Sequence, residues 1–435
     1  LTLEGGRAIA RAFAHMAAER GYQEMVVGRD NRLSSLALRD VVVEALAESR
    51  IDVVDIGEVV TPVFYFSANF LGLNAGIMIT ASHNPGEYNG FKLYMDGATI
   101  FGDEIQKVRC LAEEGVRVPG VGKGKVVTRD IQPDYILNLK KKVQLGPRSL
   151  RVVVDCGNGT AGGIAPALLR ELGCEVAELF CESDATFPNH FPDPVKVENC
   201  QDLIRVVREE KADIGLGFDG DGDRLGVVDQ EGNIIWGDVL MILFWREILP
   251  CYPGSECIVE VKCSQALVDE IVRLGGKPFF YKTGHSLIKN KMKEIGAVFT
   301  GEMSGHMFFA DEYYGFDDAL YAAVRLLRIL SHTNKSLTEL LADVPRYYAT
   351  PEIRVTSTDA EKFKIVQQVL DQFQHKYEII DVDGARILFP DGWGLVRASN
   401  TGPELIVRCE GTTPSGLDRI KDELFSYLHG LGLKI

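Results

Sequence analysis

The sequence predicts an α/β protein: three related α/β domains with mixed sheets and a C-terminal α+β domain, arranged around one central cleft. Three observations carry this reading. First, Met25-Val26-Val27-Gly28-Arg29-Asp30, Arg151-Val152-Val153-Val154-Asp155 and Cys257-Ile258-Val259-Glu260-Val261-Lys262 each read as a strand entering a loop and an amphipathic helix. Second, each segment returns to another short strand, over residues 53–56, 175–178 and 278–281. Third, roughly 45 to 65 residues after its first strand, each reaches a polar loop: Ser82-His83-Asn84-Pro85, Asp219-Gly220-Asp221-Gly222-Asp223, or Gly301-Glu302-Met303-Ser304-Gly305-His306. Ligands of open α/β sheets collect beyond the carboxyl ends of the strands, so three such domains facing one another bring these loops to a shared cleft.

A chain of 435 residues, 46% of them hydrophobic, can bury several cores; at roughly 150 residues per domain that means three or four. The net charge of -15 argues against nucleic acid and anionic membranes as partners, and leaves room for a local basic pocket. Nine cysteines without a Cys-x-x-Cys pair, among them Cys156, Cys174, Cys257 and Cys263 in or beside apolar patterns, read as reduced core thiols of a cytoplasmic protein. No apolar run approaches the roughly 18 to 20 residues of a spanning helix, and no signal-peptide pattern opens the chain. The chain opens inside a helical pattern, Arg7-Ala8-Ile9-Ala10-Arg11-Ala12-Phe13.

In the first segment the buried strand Gly76-Ile77-Met78-Ile79 runs into Thr80-Ala81-Ser82-His83-Asn84-Pro85-Gly86. Asn84-Pro85-Gly86 forces a turn, because proline fixes φ and glycine accepts positive φ. Ser82 is thus expected at a strand tip, with His83 and Lys92 supplying the protonatable nitrogen that a phosphate-attracting site wants around an exchangeable hydroxyl. The plainer alternative is a capped surface turn in which Ser82 and Asn84 only satisfy backbone groups.

The second segment carries Asp219, Asp221 and Asp223 at alternate positions, with glycines that let the carboxylates converge. Position six of this loop is Arg224 and position twelve Gln230, where an EF-hand needs glycine and a bidentate glutamate. A smaller oxygen-preferring ion such as Mg²⁺, completed by a phosphate oxygen, fits better; the plain alternative is a surface turn of Asp-Gly steps. Gly215-x-Gly217-x-x-Gly220 and Gly157-x-Gly159-x-x-Gly162 both match the dinucleotide fingerprint by letter. The first ends in an acidic loop that repels pyrophosphate. The second, with Glu178 about 20 residues on, keeps a nicotinamide-dependent dehydrogenase as an alternative.

The third segment offers Glu302, Ser304 and His306 on one loop, a set suited to gripping sugar hydroxyls and moving a proton, although a lone histidine is more often structural. The fourth, after the break at residues 345–351, reads as a helix over 360–373, four short strands at 377–382, 385–389, 394–397 and 405–409, and a final helix. Its turn Arg397-Ala398-Ser399-Asn400-Thr401 is dense in donors and reads either as a phosphate cradle or as an ordinary hairpin turn. Further joints are expected at residues 115–125 and near Gly232.

Thr80-Ala81-Ser82-His83-Asn84-Pro85, Asp219-Gly220-Asp221-Gly222-Asp223-Arg224, Gly301-Glu302-Met303-Ser304-Gly305-His306 and Arg397-Ala398-Ser399-Asn400-Thr401, in that order, resemble the four signature loops of the α-D-phosphohexomutases. Met303, together with Lys282-Thr283-Gly284-His285-Ser286, is most similar to the bacterial phosphomannomutase/phosphoglucomutase branch. The resemblance implies interconversion of mannose and glucose 1- and 6-phosphates through a 1,6-bisphosphate. Ser82 would carry the phosphoryl group and, with Asp219, Asp221 and Asp223, bind Mg²⁺, with glucose 1,6-bisphosphate as activator. Glu302 and Ser304 would hold the sugar's 3- and 4-hydroxyls. Arg397, Ser399, Asn400 and Thr401 would hold the phosphate that is not reacting. His83, Arg224, Lys262 and His285 would line the site, with Lys92 and His306 as candidates for proton transfer.

Residues 1–130 would then form the phosphoserine-bearing domain, 131–233 the metal-binding domain, 234–345 the sugar-recognition domain and 346–435 the phosphate-binding domain of a monomer. The family usually begins with a Tyr-Asp-x-Arg-Gly segment, and this sequence starts after its place. Either that segment precedes Leu1 in a longer protein, or an active-site arginine is missing and the protein binds phosphosugars without turnover. A phosphoglucosamine mutase is the remaining alternative.

Overall fold

A strand covered by helices on both faces has no solvent side, which is why Met25-Val26-Val27 is apolar without alternation. It belongs to Glu24–Arg29, which pairs in parallel with Asp52–Glu58 and Ala75–Ile79. The structure, a computed structural model, describes residues 1–116, 118, 122–400 and 402–435, so part of the joint expected at 115–125 lies outside the described residues. It divides into two units, Leu1–Gly237 with Ser304–Leu341, and Asp238–Met303 with Ala342–Ile435.

The first unit holds two mixed sheets. One runs Ala98–Thr99, Phe91–Met95, Ala75–Ile79, Glu24–Arg29, Asp52–Glu58 and Val126–Thr128 in spatial order. Phe91–Met95 pairs antiparallel to Ala75–Ile79, so the chain reverses there and the Ser82 loop sits at the reversal. Phe13 and Met16 of helix Leu3–Glu19, with Leu38, Val42 and Leu46 of helix Ser35–Glu48, fill its core. Helix Thr61–Leu71 starts with proline in its first turn and stops at Gly72, whose φ of 68° is the left-handed conformation of a C-terminal cap. The second sheet runs Ile234–Ile235, Leu225–Asp229, Ile214–Phe218, Arg151–Asp155 and Glu175–Leu179. Its Ile214–Phe218 strand reverses into Leu225–Asp229 through the acidic loop. Helix Ala319–Ser331 is capped by Asp318, and that buried carboxylate also accepts hydroxyl hydrogen bonds from Tyr135 (2.9 Å) and Tyr313 (2.8 Å).

The second unit pairs Glu256–Glu260 in parallel with Lys277–Tyr281, the third copy of the strand, helix, strand pattern. Its other sheet is antiparallel, in the order Tyr348–Ala349, Glu404–Gly411, Gly392–Ala398, Ala385–Phe389 and Glu378–Ile380, with Ile353–Thr356 also pairing to Glu404–Gly411. Helices Lys362–Phe373 and Pro414–Gly430 close its core through Val369, Phe373, Ile420 and Leu424 against Ile387, Val396 and Val407. Strand Tyr348–Ala349 falls inside the joint expected at residues 345–351, and strand Ile353–Thr356 follows it where the sequence predicts no element. They are two and four residues long and separated by Pro351, so no periodicity marks them.

Candidate active site

In the first unit, Ser82 lies three residues beyond strand Ala75–Ile79 with φ at +51°, a left-handed conformation uncommon for a residue with a Cβ. Its amide donates to Thr80 Oγ1 at 2.9 Å, and its hydroxyl donates to Asp219 Oδ2 at 2.8 Å and lies 3.1 Å from His83 Nδ1. The acidic loop can come this close because residue 220 is glycine: a Cβ there would stand 2.4 Å from the Ser82 carbonyl oxygen. Gly222, with φ at +72°, completes the curl that turns the three carboxylates together.

Asp219, Asp221 and Asp223 are fully buried, and one oxygen from each lies within 4.8 Å of the others. Asp219 Oδ1 accepts the amides of Asp223 (3.0 Å) and Arg224 (3.1 Å). Asp221 Oδ2 accepts the hydroxyls of Thr61 (2.6 Å) and Thr80 (3.2 Å), and the Thr61 amide, at the start of helix Thr61–Leu71, donates to the Asp221 carbonyl at 2.8 Å. Lys92 Nζ donates to Asp221 Oδ2 at 2.8 Å and pairs with Asp223. Asp221 Oδ1 and Asp223 Oδ1 accept no hydrogen bond among the described residues. Three converging carboxylates with orphaned buried oxygens are the donor set of a small, oxygen-preferring cation, and these residues fit one.

The electrostatics follow from burial. Burial, then the neighbouring Asp223 and Asp221, hold the Asp219 carboxyl well above its ordinary range. Burial also acts to raise Asp223, but Lys92 and His306 outweigh it and the group titrates below its ordinary value. Burial opposes the Lys92 charge, yet Asp221 and Asp223 raise it well above a free lysine, so it is an ammonium. Burial and the adjacent Arg224 push His83 down to about 2, leaving it neutral. Arg224 Nε donates to His306 Nε2 at 3.0 Å, while His306 Nδ1 faces Asp223 Oδ1 at 3.5 Å and Asp317 Oδ2 at 3.3 Å. That pattern assigns the acceptor role to Nε2 and the proton to Nδ1.

In the second unit, Lys262 follows strand Glu256–Glu260 and pairs with Glu352 (3.0 Å) and Glu260 (4.0 Å). Burial acts to lower it, and these carboxylates raise it. The turn around it is pinned from the antiparallel sheet: Arg386 Nη1 donates to the carbonyls of Val261 (2.6 Å) and Cys263 (2.9 Å), and Arg408 donates to that of Lys262. Arg397, on strand Gly392–Ala398, gives Nε to Asp383 Oδ2 at 2.9 Å, and its buried Nη2 has no hydrogen-bond partner among the described residues. Asp383 Oδ2 also accepts the Thr283 amide (3.0 Å), and Asn400 Nδ2 donates to the Thr283 carbonyl (3.2 Å). Glu302 Oε1 accepts the Gly284 amide at 2.7 Å, directly before His285, the first residue of helix His285–Ile295. The carbonyls of Ser399 and Gly402 are held by Lys362 Nζ at 2.8 and 3.0 Å.

Ser82, His83, Lys92, Asp219, Asp221, Asp223, Arg224 and His306 thus form one network in the first unit. Lys262, His285, Glu302, Arg397, Ser399 and Asn400 belong to the second, and Thr401 lies outside the described residues. The third loop is split by the division: Glu302 belongs to the second unit, while Ser304, half-buried, and His306 belong to the first. Thr61, Asp317, Glu352 and Asp383 enter these networks without a sequence signal of their own, and Thr80, which opens the first signature loop, enters through its hydroxyl. Only the Asp-x-Asp-Gly turn at 381–384 could have drawn attention to Asp383.

Gly157-x-Gly159-x-x-Gly162 does not form a pyrophosphate cradle. Its amides are spent inside the fold, Asn158 on the Phe180 carbonyl (2.7 Å), Gly159 on Cys156 (2.7 Å) and Thr160 on Gly220 (3.0 Å). A Cβ at Gly162 would meet the Cys181 carbonyl oxygen at 1.9 Å, so the glycine serves packing. The nine cysteines are free thiols, and among the described residues no helix is long and apolar enough to cross a membrane.

Against known families, the chain matches the four phosphoglucomutase/phosphomannomutase domains: α/β/α domain I over residues 1–116, domain II over 133–232, domain III over 236–348 and the C-terminal domain over 352–426. It is 46% identical to a phosphomannomutase/phosphoglucomutase of Pseudomonas aeruginosa, over 97% of this chain and 90% of that protein. It is 43% identical to a phosphoglucomutase of Neisseria meningitidis, over 97% and 92%. A crystal structure of a phosphoglucomutase/phosphomannomutase family protein from Burkholderia thailandensis superposes with a TM-score of 0.93 at 40% identity, covering 99% of this chain and 94% of the other.

Proposed function

The chain belongs to the phosphoglucomutase/phosphomannomutase family, and on that premise we propose that it interconverts the 1- and 6-phosphates of glucose and mannose by phosphoryl transfer from phosphorylated Ser82. The observation that carries this is the Ser82 hydroxyl 2.8 Å from Asp219, at the edge of three buried, converging carboxylates. A phosphoryl on Ser82 passes to the free hydroxyl of a sugar monophosphate: the phosphorus–oxygen bond to serine breaks as the bond to the sugar forms, the sugar hydroxyl gives up its proton, and the serine oxygen takes one up to become a hydroxyl. The 1,6-bisphosphate turns over and returns its other phosphoryl group to Ser82.

Asp219, Asp221 and Asp223, with the phosphoserine oxygen, would hold Mg²⁺, whose charge offsets that of the transferring phosphoryl group. Lys92, an ammonium among these carboxylates, supplies a proton or positive charge to the serine oxygen. His306 acts through Arg224, which it orients. Glu302 and Ser304 bind sugar hydroxyls, His83, Lys262 and His285 line the site, and Arg397, Ser399, Asn400 and Thr401 take the phosphate that is not reacting. Residues 1–130 carry the phosphoserine, 131–233 the metal carboxylates, 234–345 the sugar contacts and 346–435 the phosphate contacts. Glucose 1,6-bisphosphate would serve as activator by restoring a lost phosphoserine. The acidic balance and nine free thiols support a cytoplasmic monomer that partners neither nucleic acid nor membrane.

The test is phosphorus NMR of the purified protein with Mg²⁺, a trace of bisphosphate and either glucose 1-phosphate or mannose 1-phosphate. Conversion of both to 6-phosphates is expected. Saturable binding with no conversion would leave a phosphosugar-binding protein instead.

A further inference from the structure

We propose that Arg32 is a positioning residue for phosphoryl transfer, holding the backbone of the Ser82 loop in the conformation that presents the serine oxygen. This rests on the mutase reading above. Arg32 follows strand Glu24–Arg29, is 2% exposed, and spends its guanidinium on one loop. Nη2 donates to the carbonyls of Ser82 (2.7 Å) and Asn84 (2.6 Å); Nη1 donates to those of Pro85 (2.6 Å) and Tyr88 (3.1 Å). Nε donates to Asp30 Oδ2 at 3.0 Å, and Asp30 Oδ1 accepts the Arg32 amide and the Ser35 hydroxyl. The Phe187 ring lies 5.7 Å from the guanidinium carbon.

Four carbonyls on one buried guanidinium is more than a turn needs. The loop needs it because Ser82 sits at φ +51°, a conformation that costs about 1–3 kcal/mol and persists only where its surroundings over-determine it. The Ser82 amide is fixed by Thr80 and the Ser82 carbonyl by Arg32, so both peptide planes flanking its Cα are held. With the backbone fixed, the hydroxyl has only χ1 to explore, and the observed value aims it at Asp219. Arg32 does this without touching the hydroxyl. A lysine in its place is a point charge without the planar fork and cannot serve the four carbonyls together.

The experiment compares wild type, Arg32→Lys and Arg32→Met on glucose 1-phosphate, with kcat expressed per phosphorylated Ser82 as counted by intact mass, and with hydrolysis of the phosphoenzyme followed without sugar. Misplacing a reacting atom by about 1 Å costs about a hundredfold in rate, so Arg32→Lys is expected to lose about that in kcat with KM changed less than about threefold. Arg32→Met should lose more, and both should leak inorganic phosphate faster than wild type. A merely structural role lowers the folded fraction and the melting temperature but leaves kcat per phosphorylated site within about threefold, and that result overturns the proposal. If neither variant folds, Phe187→Leu, which loosens the packing on the guanidinium, decides: a three- to tenfold fall in kcat at constant KM supports the proposal and an unchanged kcat overturns it. An inactive wild type would instead overturn the mutase reading on which this one stands.

Discussion

The two clusters of site residues bury their charge in opposite ways. In the first, Asp219, Asp221 and Asp223 crowd like charges together around one buried ammonium, Lys92. In the second, cations come with dedicated carboxylates, Lys262 with Glu260 and Glu352, and Arg397 with Asp383. An excess of buried negative charge is stable only with further positive charge nearby, which suits a metal ion. A guanidinium already paired through Nε, with a buried Nη2 left over, has been desolvated in advance and suits an incoming phosphate. The contrast separates reacting chemistry from recognition.

The sharpest way to break that separation is to remove the carrier. Ser82→Ala should lower mutase turnover by about a thousandfold or more, and peptide mapping should find phosphate on Ser82 in wild type alone; an active alanine variant would return the loop to a capped turn. Removal of divalent ions comes next: charge on the moving group is worth several kcal/mol, so chelation should cost about a hundredfold or more, reversibly. Asp221→Asn should do the same to kcat while sparing sugar-phosphate affinity, measured by calorimetry.

On the other side of the comparison, Arg397→Ala should weaken 1- and 6-phosphates alike, by about ten- to a hundredfold, the worth of one charged hydrogen bond of about 1.5–3 kcal/mol. Loss for one isomer only would mean that Arg397 reads orientation. Glucose and mannose 1-phosphates should differ by less than about a hundredfold in kcat/KM, or about 2.7 kcal/mol, because the proposed contacts of Glu302 and Ser304 go to hydroxyls that the two sugars share.

The smallest effect concerns stability. Burial pushes the Asp318 carboxyl in the first unit up to about 7 from 3.8. The folded state therefore holds this proton more tightly than the unfolded chain, and the contribution to stability is full below about pH 3.8 and lost as pH rises to about 7. One proton bounds the slope at about 1.4 kcal/mol per pH unit. Asp318→Asn should flatten it in urea titrations across pH 4 to 7, and an unaltered slope would assign the titration elsewhere.

What the sequence made legible was local. The strand before Ser82, the reversal at Asn84-Pro85-Gly86 and the alternate aspartates are each written in a dozen residues or fewer, and periodicity with turn chemistry is enough to read them. What it hid was pairing at a distance. Thr61 meets Asp221 across 160 positions and Asn31 meets Asn158 across 127, and no periodicity encodes such partners. Arg32 shows the limit well. Gly28-Arg29-Asp30 was visible as a strand entering a loop, but nothing in one sequence says that a guanidinium two residues on reaches four carbonyls 50 to 56 positions away. The dinucleotide fingerprint failed in the converse direction: its letters were right, and packing had used the amides.

The chain leaves the first unit at Gly237 and returns to it only at Ser304–Leu341. On a ribosome adding about 5–20 residues per second, the roughly 100 residues from Gly237 to Leu341 take about 5–20 s to appear. Until His306, Asp317 and Asp318 emerge within that interval, the acidic loop exists without the first two and the Tyr135 hydroxyl without the Asp318 carboxylate that accepts it. The aspartates therefore spend the first seconds of the nascent chain's life with water or a cation in place of those late partners.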